Sequence, residues 1–196
     1  MIEVLIAHIH STKLAIHEIA LSPLFLTANT NNSDIQQMEF LYLCLNSVKH
    51  WFDVFFAIPP GDYIGFPYSI FSQLSHCLII LYKLSSLEYP SWVKAEVRKS
   101  ADIISILDMV INNLAQVSVL AGLESGDLAE DVFTRTAKKF RSVKIGWEAK
   151  LETDIAMGNS VTQSTVDVTP YDFSMEIPAN EWADDWLKDI LTSMTT

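Results

Sequence analysis

Basic residues are scarce in this sequence. Against 24 Asp plus Glu stand only 13 Lys plus Arg, a formal net charge of −11. So acidic a chain repels phosphate backbones, which argues against direct binding to nucleic acid. Cysteine is nearly missing. Cys44 and Cys77 lie far apart with no CxxC pair, which excludes a disulfide framework and a four-cysteine zinc site. Both fall in apolar helical surroundings, where buried reduced thiols are expected. Gly (6) and Pro (7) are few, which excludes collagen-like and low-complexity classes. No uninterrupted apolar run reaches the roughly 18 to 20 residues of a membrane span. The start, Met1-Ile2-Glu3-Val4, has no basic region and soon meets His8 and His10, unlike a secretory leader. The expectation is a soluble intracellular protein with no membrane partner.

Catalytic and metal motifs are absent too. GxSxG does not occur, Leu21 stands where HExxH would need its second histidine, and Gly61-Asp62-Tyr63-Ile64-Gly65 lacks the spacing of a phosphate loop. On a helix, His8 and His10 point about 200° apart. His10 and His17 share a face, but Glu18 projects away from them, so three metal ligands do not converge. His50 and Asp53, three apart, make a surface helix pair. His76 and Cys77 are adjacent and diverge, which rules out a Cys-His nucleophile pair. Asp185 and Asp189 share a face that a divalent cation could bridge, yet Lys188 intrudes and no second acidic helix complements them. The expectation is a non-enzyme with neither cofactor nor metal.

What the sequence has in abundance is apolar residues at helical spacing: 49% of its 196 residues are hydrophobic, enough for one domain with a real core. A first helix fits residues 2–20, and Pro23 with Asn29-Thr30-Asn31-Asn32 marks a loop. Ser33, with Gln36 three residues on, caps a second helix to Ala57, which Pro59-Pro60-Gly61 stops. A third fits 67–84 with Pro67 in its first turn. Ser91 caps a long fourth helix toward Ala121, ended by Gly122, and a fifth covers 127–156. Composition then shifts to Ser, Thr, Val, Asp and Pro in an extended linker over 157–179. Residues 148–196 carry ten acids and two bases, so the charge imbalance lies mainly in this tail. A last short helix over 180–196 puts Trp182, Trp186, Leu187, Ile190 and Leu191 on one side and its acids on the other. The fold class is all-α, an irregular array of about five to six helices with an acidic linker and a C-terminal amphipathic helix. Residues 1–156 form the domain, and the terminal helix packs on it.

Two further groupings bear on function. Arg135, Lys138, Lys139, Arg141 and Lys144 form the only basic cluster, a solvated helix face suited to pairing with the acidic tail. Phe55, Tyr63, Phe66, Tyr68 and Phe71, with Gln73 as a polar group, belong to an aromatic-rich stretch that could line an apolar pocket for a small hydrophobic effector. The same spacing also suits plain core. Trp182, Trp186, Leu187, Ile190 and Leu191, set among acids, suit docking into a partner's hydrophobic groove, with the acids steering toward basic rims.

The stretch Phe55-Phe56-Ala57-Ile58-Pro59-Pro60-Gly61-Asp62-Tyr63-Ile64-Gly65-Phe66-Pro67, followed by Phe71, Gln73, Leu74, His76 and the Leu81 to Leu84 phrase with Lys83, resembles the C-terminal half of the fungal-specific regulatory domain of binuclear-zinc-cluster transcription factors. Trp92 after the Tyr89-Pro90 turn, Ile106-Leu107-Asp108, and the ending from Trp182 to Leu191 are similar as well. The resemblance spans about residues 1–192. It implies a nuclear helical regulatory region that acts through effectors, self-inhibition or coactivator contact. The partners it points to are a small hydrophobic effector, a coactivator, the remainder of a larger regulator, or a second copy. The six clustered cysteines of that family's DNA-binding module are absent, so DNA binding by its mechanism is not expected. The alternative reading is an all-α small-molecule binder or enzyme of secondary metabolism built on the aromatic stretch.

Overall fold

The computed structural model describes residues 2–22, 33–89, 91–123 and 131–158. Among these residues six α-helices form: α1 (Ile2–His17), α2 (Ser33–Ala57), α3 (Tyr68–Ser86), α4 (Lys94–Ser100), α5 (Ile103–Leu120) and α6 (Val132–Gly158). Short 3₁₀ turns at Glu18–Leu21 and Pro60–Gly65 follow α1 and α2, and no strand occurs among the described residues. The fold is all-α, as the helical spacing implies. The linker over 157–179, apart from its first two residues, and the helix expected over 180–196 lie outside the described residues.

Helix α3 is the hub, packing against each of the other five helices. Its sequence explains why. Ile70, Phe71, Leu74, Cys77, Leu78, Ile80, Leu81, Tyr82 and Leu84 point in several directions and are all buried, and a helix apolar on most sides must be enclosed. Its buried serines are satisfied within the helix: Ser75 Oγ donates to Phe71 O at 3.2 Å and Ser85 Oγ to Leu81 O at 2.8 Å, the usual accommodation of serine inside a helix.

Two antiparallel helix pairs flank this hub. In the first, α1 runs against α2: the His17 ring lies 5.9 Å from Phe40 and the His10 ring 5.3 Å from His50. In the second, α5 runs against α6, pinned where Lys144 Nζ donates to both Asp108 carboxylate oxygens at 2.7 and 2.8 Å. Stacking of Tyr82 on Trp147 at 4.4 Å and contact of Phe71 with Phe133 at 6.1 Å hold α6 alongside α3, both running in the same direction. The Pro60–Gly65 turn packs on α5. There a Cβ at Gly61 would stand 3.1 Å from Leu120 O, so only glycine admits this approach without a shift.

The expected single helix from Ser91 to Ala121 is two. Ala101 adopts φ −151°, ψ 89°, and the Asp102 carboxylate accepts from Ile104 N at 3.2 Å and Ser105 N at 3.3 Å. A new helix start gains its missing acceptors this way. Ser91 is not the cap, because α4 begins at Lys94 after Val93, with no side-chain cap bond. The helix expected from 127 begins at Val132, where Asp131 accepts from Phe133 N and Thr134 N at 2.9 and 3.0 Å; residues 127–130 lie outside the described residues. Gly122, with φ 71°, ends α5 as expected. By length and composition alone, Lys94–Leu120 qualifies as a membrane-crossing stretch. The break at Ala101, and the burial of Ile103, Ile106, Leu107, Val110, Ile111, Leu114 and Val117, identify it as core.

Candidate functional site

The aromatic residues do converge. Trp51 stacks on Phe55 at 5.1 Å, Phe55 meets Tyr63 at 4.9 Å, Tyr63 stacks on Phe66 at 4.9 Å, and Phe66 reaches Phe71 at 6.0 Å. This chain of rings ties α2, the Pro60–Gly65 turn and α3 together, and α6 joins through Phe133. Phe55, Tyr63, Phe66 and Phe71 are buried. The Tyr63 hydroxyl donates to Phe55 O at 3.3 Å and accepts from Asn113 Nδ2 at 3.0 Å. Burial pushes the phenol up to about 12, against the opposing Asn113 bond, so it stays a neutral hydrogen-bonding strut. Rings at these separations fill one another's space.

Gln73 meets the chain of rings at its Trp51 end. Its Oε1 accepts from Trp51 Nε1 at 3.2 Å, and its Nε2 lies 2.6 Å from His8 Nδ1, so it bridges α1, α2 and α3. Tyr68 is partly buried at the start of α3. An open cleft of ≈ 340 Å³ is lined by Glu3, Val4, Ala57, Ile58, Pro59, Asp62, Gly65 and Phe66. Of the six residues expected to contact an effector, only Phe66 borders it. Trp182, Trp186, Leu187, Ile190 and Leu191 lie outside the described residues.

The histidines gather around α1. His10 and His17 share the face toward α2, as the spacing implies. Glu18, expected to project away from His10 and His17, meets His76 Nε2 on α3 at 2.6 Å, because the Glu18–Leu21 turn swings it over α3. Burial, then repulsion from neighbouring His50 and Lys13, holds the His10 pKa below the ordinary histidine value, with Asp53 pulling the other way. Asp53 therefore acts on His10 across the helix pair as well as lying beside His50. Among the described residues no three His, Cys, Asp or Glu side chains are placed to hold a metal ion. Cys44 and Cys77 are free and buried; burial pushes Cys44 up to about 12 and raises Cys77 well above the usual thiol range, with Glu18 adding to both. Neither is a nucleophile at neutral pH. In the basic cluster, Lys144 is engaged by Asp108.

A feature that helical spacing alone did not single out is the outer face of α1. Ala7 and Leu14 are buried, while Ile2 (67% exposed), Leu5 (59%), Ile6, Ile9 and Ile16 (62%) point outward. These aliphatics recur at intervals of three, four and seven, the signature of one stripe. The signal lay in α1 being apolar on two opposite faces.

Residues 60–196 match the family model ATEG07667_C, described as a C-terminal domain. The chain belongs to this family. Its curated relatives are transcription factors. Transcription factor opdL of Penicillium oxalicum is 37% identical over 145 residues, covering 74% of this chain and 25% of that protein. A transcription factor of Aspergillus terreus is 28% identical over 135 residues, covering 64% of this chain and 23% of that protein. The chain thus spans about a quarter of the length of the curated relatives it matches. No solved structure matches it. The resemblance to a fungal transcription-factor regulatory domain is borne out, and neither relative is named as an enzyme.

Proposed function

We propose that this chain is the regulatory and activating part of a fungal transcription regulator, acting in the nucleus through protein contacts without itself touching DNA. The observation that carries the reading is the match of residues 60–196 to a C-terminal domain whose relatives are named as transcription factors. Charge supports the second half: at −11, with most of the excess in the tail, the chain is a poor ligand for phosphate. Ring-on-ring packing of Phe55, Tyr63, Phe66 and Phe71 favours protein contact over an enclosed effector pocket. The proposed contact segment is the C-terminal helix, whose Trp182, Trp186, Leu187, Ile190 and Leu191 enter a coactivator's apolar groove while its acids face basic rims.

The test is a reporter assay in a fungal host, with the chain fused to an unrelated DNA-binding module. The fusion should activate, and Trp182→Ala with Trp186→Ala should abolish activation. Equal output from the fusion and the bare DNA-binding module contradicts the activating role. A gel shift of random duplex DNA by the chain alone, at low salt, contradicts the absence of DNA contact.

A further inference from the structure

The outer face of α1 is unfinished as a surface. Ile2, Leu5, Ile6, Ile9 and Ile16 form an aliphatic stripe opposite buried Ala7 and Leu14, and a helix apolar on both sides calls for cover on both. We infer that this stripe is the docking site for the chain's own C-terminal segment, residues 180–194.

Size argues for this occupant. The α1 face is about 24 Å long and about 10 Å wide, well short of the roughly 800 Å² per partner that a stable complex between separate molecules buries. A second copy is therefore poorly served by it. A tethered segment needs less, because a short linker supplies an effective concentration in the millimolar range. As the helix the sequence pattern implies, residues 180–194 would be about 22 Å long, a match to α1. Its stripe of Trp182, Trp186, Leu187, Ile190 and Leu191 is the apolar counterpart that α1 lacks.

Reach and charge agree. Helix α6 ends at Gly158. Residues 159–179 span up to about 70 Å when extended, more than the length of any helix here. Between Glu3 and Glu18 the only formally charged residue of α1 is Lys13, a positive charge toward which the acids Glu181, Asp184, Asp185 and Asp189 are attracted. The basic cluster of α6 offers more charge, but among the side chains described on that helix Ile145 is the one exposed large aliphatic, too little to cover two tryptophans. Docked on α1, the tryptophan face is withheld from any other protein. That consequence rests on the regulatory reading above; the docking does not.

The full chain carrying Ile9→Cys with Leu187→Cys is treated with a short bismaleimide, alongside a second chain carrying Ile145→Cys with Leu187→Cys. Native Cys44 and Cys77 are buried and stay silent. The expected result is an intramolecular link at least about tenfold faster from position 9 than from position 145, repeated with Leu5→Cys in place of Ile9→Cys. Equal rates, or a faster link from position 145, overturn the assignment. Covalent dimers through position 9 overturn it in favour of a second copy. The readout is proximity and not transcription, so its failure leaves the regulatory reading standing and subject to the reporter assay alone.

Discussion

The two helix pairs that flank α3 are alike within and opposite without. Leu14 on α1 and Phe140 on α6 are both sealed in the core, and each pair is antiparallel. Outside, α6 shows Arg135, Lys138, Arg141 and Glu148 to solvent, whereas α1 shows Ile2, Leu5, Ile9 and Ile16. The histidine-lined α1/α2 seam also differs from the α5/α6 seam, which Lys144 and Asp108 pin. Inner faces make the fold. The outer faces differ in what they offer to solvent, charge on α6 and aliphatic side chains on α1.

Breaking the likeness gives the largest effect. Leu14→Ala and Phe140→Ala should each cost about 3 to 5 kcal/mol in chemical denaturation, and a loss under about 1 kcal/mol at either site would deny that both pairs share one core. Tyr63→Phe should cost about 1 to 2 kcal/mol, because Asn113 and the Phe55 carbonyl lose a buried partner. The same experiment on Tyr68→Phe, away from that network, is the comparison.

Much of this architecture was legible in the sequence because its punctuation is strong. Pro59-Pro60 and Gly122 end helices where prolines and left-handed glycines must, and Ser, Thr and Asp cluster outside the apolar periods. The break at Ala101 was hidden because Val97, Ala101, Ile104 and Leu107 keep the helical period across it; Asp102 followed by Ser105 was the signal, a cap inside an apolar run. The aromatic residues were legible as a group but not as a packed stack. Their neighbours, such as Phe133 against Phe71 and Trp147 against Tyr82, come from distant segments, and pairing across such separations leaves no local pattern. The bridging role of Gln73 was hidden for the same reason: its partners His8 and Trp51 lie on other helices.

Smaller effects sharpen the contrast between seams. The pKa of His10 lies below the ordinary value of 6.5, so the folded state holds that proton less tightly than the unfolded chain. Its contribution is fully present above about pH 6.5 and is lost as pH falls through the folded pKa. Melting temperature should therefore drop on acidification more steeply for the native chain than for His10→Gln, and identical pH profiles would contradict the crowding of His10 by His50 and Lys13. Smallest of all, Arg141→Ala on the solvated face of α6 should shift stability by no more than about 0.5 kcal/mol.

Hydrogen exchange on the full chain tests the contrast most directly. In the native chain, peptides covering 180–192 should be protected. Leu5→Ser with Ile9→Ser should remove that protection while Arg141→Ala leaves it untouched. Exchange of 180–192 at the unprotected rate in all three proteins, or protection that survives Leu5→Ser with Ile9→Ser, would contradict the claim that the outer face of α1 is an interface for the chain's own end.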